Sequence, residues 1–405
     1  MASTGTAVPA REAATSGVSP WLVLAVVFYA SVVAVMAQFA APPLMPVLMD
    51  AFRIDIGQAS SLMSVFSITG LLLALPAGLV LGRFGPLVTG LVALGSVVAG
   101  SVIAAAAPEY GVLLAGRAVQ GVGTGLLGVT APALVAGAFP PERRGTPMGI
   151  WAMWVPVGGL AMALIAPSLA LAAGWQAVWW LTAGLGTLGI AAWVAVLWMA
   201  GLRGAPSGAG PSNGALADLR AGLSGRDLWL LIAVFAVFAS AAGGVNTFVA
   251  TFLNKERGYD VATAAAIAGL AMAGMAVGSV LSGVASDRLG SRRLVYTAAL
   301  LIAAPMLVLP YILSGAAIGI SLFVFGVILG AVPPAIFATV PDLVPHPRLI
   351  GAGMAGIMLG QNAGFVIGPL LFAALIPALG WAGAAAASSA LVVVAAGIGW
   401  RVRVR

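Results

Sequence analysis

The sequence predicts an all-α membrane protein, with twelve transmembrane helices in two pseudo-symmetric six-helix halves. Three observations predict it. First, 61% of the 405 residues are hydrophobic, 7% are charged, and the mean hydropathy is +1.11. Soluble domains run at about 45–50% apolar and about 25% charged, so much of this surface must face lipid. Second, the apolar runs are long and unbroken. Backbone polar groups in lipid must be paired internally, and a helix of roughly 20 residues does so within one segment, whereas barrel strands would show ten-residue alternation. Third, the basic turn Gly283-Val284-Ala285-Ser286-Asp287-Arg288-Leu289-Gly290-Ser291-Arg292-Arg293 recurs in damaged form 205 positions earlier, where Gly78, Arg83 and Gly85 stand for Gly283, Arg288 and Gly290.

Residues 1–19 are polar, lack the basic region and cleavage pattern of a signal peptide, and read as a cytoplasmic tail. Spans are expected at 20–48, 57–82, 86–107, 111–138, 146–171 and 175–200, then at 227–253, 261–286, 292–314, 316–342, 349–377 and 380–400. Most connections are too short to allow anything but antiparallel neighbours. The exception, 201–226, is rich in Gly, Pro, Ser and Asn and links the halves 20–200 and 227–400; residues 401–405 form a basic tail. With both termini cytoplasmic, fourteen of the 18 basic residues are cytoplasmic, Arg53, Lys255 and Arg257 are outside, and Arg117 lies within span four. Such a bias is the positive-inside pattern of a multi-pass protein of the cell membrane. A second repeat supports duplication: Ala131-Pro132-Ala133-Leu134-Val135-Ala136 of span four resembles Pro333-Pro334-Ala335-Ile336-Phe337-Ala338 of span ten.

The chain has no cysteine, which removes disulfides, thiolate metal sites and cysteine nucleophiles. Its single histidine, His346, sits between Pro345 and Pro347. No metal, cofactor or catalytic constellation is expected. The net charge of +7 is carried by short loops, so its meaning is topological and no nucleic-acid partner is implied.

Three stretches carry a family resemblance. The turn at 283–293 is similar to the signature turn of the major facilitator superfamily. Arg117-Ala118-Val119-Gln120-Gly121-Val122-Gly123 resembles that family's Arg-x-x-Gln-Gly-x-Gly pattern, and Phe139-Pro140-Pro141-Glu142-Arg143-Arg144-Gly145 resembles the turn into its fifth span. The resemblance implies a secondary transporter in which spans one, four, seven and ten line the pathway, with help from two, five, eight and eleven. Departures matter too. The first turn has Gly82, Pro86 and Leu87 where the family has an aspartate and basic residues. Val155-Pro156-Val157-Gly158-Gly159 is one residue short of the antiporter pattern, and Ala37-Gln38 stands where proton-coupled drug exporters place an aspartate before Pro46. Leu75-Pro76-Ala77-Gly78 and Gly149-Ile150-Trp151 are loosely similar to the cyanate and nitroimidazole permease branch.

Arg117 is costly at a helix centre, about 2.5–3.5 kcal/mol on insertion scales. Two readings are open: an anion-attracting group in a central cavity, or a structural arginine bonded to neighbouring carbonyls. Gln120 and Thr124 share its face. Tyr29, Gln38, Asn246, Thr247, Thr251, Gln361 and Asn362 are the other polar groups that either bind a solute or bridge helices. Trp154, more than Trp151, is placed as an aromatic wall, against the alternative of packing or interfacial anchoring. All eleven acids fall in loops, tails or span ends, so Asp50 is the nearest coupling candidate if it is not merely solvated. Asp287 is expected to dock at the start of span five near Gly145-Thr146 and act as an inner gate, with Arg288 or Arg292 pairing to Asp342 and Arg83 to Glu142.

The expected function is secondary transport of a small anionic or neutral organic solute by alternating access. The expected partners are that solute and membrane lipid, with coupling to a proton or counter-anion and a monomeric state. The alternatives are export of hydrophobic drugs, or a membrane sensor or assembly protein that does not transport.

Overall fold

A computed structural model describes residues 18–73, 76–140, 145–202, 215–289, 291–346 and 349–403. Among them, eleven helical segments are long and apolar enough to cross a membrane. The last, Ile350–Trp400, has 51 residues. Straight, it would run about 76 Å at 1.5 Å per residue, over twice a hydrocarbon core of ~30 Å. It turns instead at Gly380, whose φ of 67° and ψ of 178° interrupt the helix. Its neighbours prove the reversal. Gly353 lies against Val340 and Val344 at the end of span ten, Trp381 donates to Glu256 at the far end of span seven, and Tyr296 at the start of span nine donates to the Gly399 carbonyl. Divided there, the described helices accommodate the twelve expected spans. The same device ends span two: the helix Pro76–Ala105 breaks at Gly85, with φ 76° and ψ 172°. Positive φ without a Cβ is the reason glycine occupies both turns.

The starts of odd-numbered spans and the ends of even-numbered spans share one face, which is rich in arginine. Trp21 meets Phe139 edge-on at 5.1 Å, and the Arg403 amide donates to Asp227 at 3.3 Å. On the arginine-poor face Tyr110 donates to the Gln58 carbonyl at 2.8 Å, and Arg257 donates to the carbonyls of Tyr311 and Leu313. Capping is local: the Asp260 carboxylate accepts from the Thr263 amide at 2.9 Å, and hydrogen bonding from the Thr263 side chain first, then from its amide, holds the Asp260 pKa below the usual value.

Two features differ from expectation. Span one is not a single helix over 20–48. It runs as Pro20–Gln38, a three-residue 3-10 turn Pro42–Leu44, and Met45–Phe52. Pro42 and Pro43 cannot donate to a helical ladder, so the break falls before Pro46, which instead opens the last helix. The linker 201–226 also contains a helix, Ala215–Gly222, and Gly222 packs on Ala352 of span eleven.

Each half has its own apolar core. The halves meet along two seams. In one, Ser64 of span two donates to the Val366 carbonyl of span eleven at 2.8 Å, and Gly70 faces Asn362. In the other, Gly159, Leu160 and Ala163 of span five face Gly269 and Met272 of span eight. A third apolar cluster joins Met272 to spans one, two and six at the arginine-poor end.

Because the chain has no cysteine, single-cysteine labelling reads orientation directly. An impermeant maleimide should label Glu109→Cys and Ser314→Cys in intact cells, and Ser224→Cys only after permeabilisation. The reverse pattern contradicts the orientation.

Candidate functional site

The break in span one sets the site. Pro42 has no N–H, so the Gln38 carbonyl four residues earlier loses its helical partner. A buried carbonyl left unpaired costs about 1–3 kcal/mol. Arg117 of span four supplies the missing donors. Its Nη2 donates to the Gln38 carbonyl at 2.8 Å, and its Nη1 donates to the Ala37 carbonyl and to Gln120 Oε1. Nε donates to the Leu62 carbonyl of span two at 3.1 Å, and the remaining N–H meets Met63 Sδ at 3.7 Å. The guanidinium also lies 4.6 Å from the centre of the Phe66 ring. Gln120 passes the network on to Ser101 of span three, which accepts from Thr182 of span six. A cation at the carboxyl end of a helix is also favoured by the helix dipole.

Arg117 is fully buried, and all five of its N–H groups are engaged. The anion-attracting reading is therefore corrected. This side chain clamps spans one, two and four and presents nothing to a cavity. Gln120 is buried in the same clamp.

The cavity lies beside the clamp. It is lined by Gln38, Gly70, Thr124, Gly125, Gly128, Val129, Trp154 and Val155 of the first half, and by Met358, Gln361, Asn362 and Phe365 of span eleven. The space open to a water-sized molecule is about 40 Å³, within about 540 Å³ of empty space that includes the open mouth. None of these side chains is charged. Gln38 is 7% exposed, and its backbone carbonyl is held by Arg117. Among the described residues, the Thr124 hydroxyl is buried without a hydrogen-bond partner, whereas the side-chain amides of Gln38 and Gln361 make no hydrogen bond to protein but keep some surface open to the cavity. The Asn362 amide donates to the Met358 carbonyl at 2.9 Å, which leaves its oxygen against Gly70. Trp154 stacks on Trp151 at 5.3 Å and 19°, and Trp151 is anchored by donating to Ser31. Pro156 denies the Ala152 carbonyl its donor, so span five breaks at Met153 and a new helix starts at Trp154.

The other expected binding residues do not reach this cavity. Tyr29 donates to the Leu185 carbonyl, and Thr247 bonds back to the Gly243 carbonyl within its own helix. Thr251 is buried without a partner, and neither it nor Asn246 lines the cavity. A hydroxyl that bonds four residues back satisfies itself locally, which accounts for Thr247. Sequence reasoning missed Met358 and Phe365. Their spacing with Gln361 and Asn362 is three, four and seven residues, which puts all four on one face.

Arg292 pairs with Asp342 at 2.8 Å and also donates to the Ala338 carbonyl, joining spans nine and ten. Arg83 is exposed, 5.5 Å from the Phe84 ring. The docking of Asp287, and the pairings of Arg288 and Glu142, lie outside the described side chains. Asp50 is neither in the cavity nor simply solvated: it bonds Lys255 of the other half through both oxygens, at 2.7 and 2.9 Å. The two residues are 205 positions apart, the offset of the repeated turn. They are thus equivalent positions of the two halves, meeting at the pseudo-twofold axis on the arginine-poor face.

The model of the Major Facilitator Superfamily matches residues 27–349 and 267–405. The chain belongs to that superfamily, and its long apolar helices fit a multi-pass membrane protein. A stretch of 118 residues is 34% identical to the Major facilitator superfamily multidrug transporter mfsC of Aspergillus fumigatus, covering 29% of this chain and 23% of that protein. Another of 145 residues is 30% identical to the uncharacterized MFS-type transporter Rv1250 of Mycobacterium tuberculosis, covering 36% and 25%. The matched stretches span about a quarter of these relatives. A bacterial homologue of the human lysosomal transporter Spinster, inward-facing and unoccupied, superposes with a TM-score of 0.74 at 18% identity over 94% of this chain and 96% of that one. The peptide transporter POT in complex with sulfate gives 0.76 at 16% identity over 93% of each. These structures share the fold.

Replacing Arg117 by lysine keeps the charge but not the planar fork. Arg117→Lys should lower the stability of the purified protein by about 2–4 kcal/mol, read as a fall in melting temperature in detergent. An unchanged melting temperature contradicts the clamp.

Proposed function

We propose that this transporter moves a small, uncharged organic solute across the cytoplasmic membrane by alternating access, the two six-helix halves rocking about the cavity. One observation carries the reading: a cavity lined from both halves by uncharged side chains, with unpaired amides on facing walls. The anionic option drew on Arg117 as a cavity group and loses that support. With the arginine-rich face cytoplasmic, the described seams and the Asp50–Lys255 pair close the cavity from outside. The Arg292–Asp342 pair steadies the inner end of the second half. None of the residues lining the cavity is a carboxylate, so coupling to a proton would act away from the solute.

A second reading, export of hydrophobic drugs, is favoured by Trp154, Met358 and Phe365 in the lining and by the name of the Aspergillus relative.

Alternating access has a test that needs no solute. Spin labels at Gln58→Cys and Thr263→Cys straddle the outer mouth. In lipid nanodiscs they should show two distance populations. Asp50→Asn should enrich the longer one by up to about fivefold, the scale of an exposed ion pair worth ~0–1 kcal/mol. One fixed distance in both proteins contradicts the rocking cycle.

A further inference from the structure

We infer that the cavity selects neutral, planar solutes that carry an amide-type edge, one donor beside one acceptor, and that it rejects the matching anions and cations. The inference rests on the transporter reading above and adds the chemical class of its substrate.

The starting point is a polar group on the cavity wall that no protein group bonds. Gln38 is 7% exposed, lines the cavity, and among the described residues its side-chain amide has no partner. A solute that fills the cavity strips such an amide of its water and must supply the hydrogen bonds in its place. Its placement is enforced rather than accidental. The Gln38 carbonyl is bonded to Arg117, which fixes the residue's backbone at the end of the broken helix, beside the cavity. Thr124, one helical turn beyond Gln120, adds a hydroxyl that is likewise unpaired. On the facing wall Gln361 presents a second free amide.

A carboxamide offers both a donor and an acceptor. Two of them facing each other complement a solute edge that also carries both. A carboxylate has only acceptors and an amidinium only donors, so each would satisfy half of every glutamine and would lose its hydration with no countercharge in the lining. Arg117 does not rescue an anion, since its N–H groups are consumed. The Trp154 face, backed by Trp151, supplies a platform for a flat ring.

An isosteric series tests this with the full chain in nanodiscs and proteoliposomes. Benzamide is neutral, benzoate anionic and benzamidinium cationic, at nearly one size and shape. Titration should show saturable benzamide binding at least about tenfold tighter than either ion, as sites built to hydrogen-bond a group discriminate strongly. Gln38→Leu and Gln361→Leu should each weaken benzamide about tenfold or more. Gln38→Glu should turn the preference toward benzamidinium. Melting temperatures confirm that the variants fold, and Gln361→Leu carries the test if Gln38→Leu does not. Equal or tighter binding of benzoate or benzamidinium, no saturable benzamide binding, or an unchanged affinity in both leucine variants overturns the inference. The two readings fail differently. Saturable uptake of an ion in place of benzamide leaves a transporter with another substrate class. Benzamide binding with no counterflow leaves the site and removes the transport.

Discussion

Two carbonyls at the end of a broken helix govern the rest of this structure. A transmembrane helix normally satisfies its own backbone, but Pro42 removes the donor that the Gln38 carbonyl requires. Water cannot make good the loss at that depth. Arg117 does so from span four, and its other N–H groups reach Ala37, Leu62, Gln120 and Met63. An arginine inside the membrane is expensive on its own. Here its cost and that of the orphaned carbonyls offset each other, which explains how both persist in so apolar a chain.

The clamp shapes the cavity by what it withholds. Because the guanidinium is consumed, the space between the halves holds amides, a hydroxyl and an indole, and no formal charge. The clamp also fixes the backbone of Gln38, so the same bond that repairs the helix sets one amide-bearing residue at the cavity wall. Charge is kept to the ends of the bundle instead. Asp50 and Lys255 join the halves on one face, and Arg292 and Asp342 join spans nine and ten near the other. Exposed pairs of this kind are individually weak. They suit parts that must come apart during a cycle, whereas the buried clamp suits a part that must not.

Much of this fold is legible in the sequence. Apolar runs, arginine placement and the duplicated turn are one-dimensional signals of membrane insertion, and the glycines at 85 and 380 fall where two predicted spans meet. The site is less legible, for identifiable reasons. Arg117 admitted two meanings because sequence shows its cost but not its partners, although the four-residue offset between Gln38 and Pro42 already marks a carbonyl in need. Thr247 looked like a cavity group and is satisfied within its own turn. Phe365 and Met358 gave no contrast in a chain where apolar residues are the background. The Asp50–Lys255 pair was hidden in the repeat offset itself, since opposite charges at equivalent positions meet only near a twofold axis.

The central claim is that Arg117 exists to answer Pro42. A double-mutant cycle measures it. Pro42→Ala gives position 42 an N–H that can reach the Gln38 carbonyl, so Arg117→Met should cost at least about 1 kcal/mol less in that background than in the parent, read by reversible unfolding in detergent. Strictly additive losses would contradict the account, because they would mean that the arginine and the proline break do not share a carbonyl.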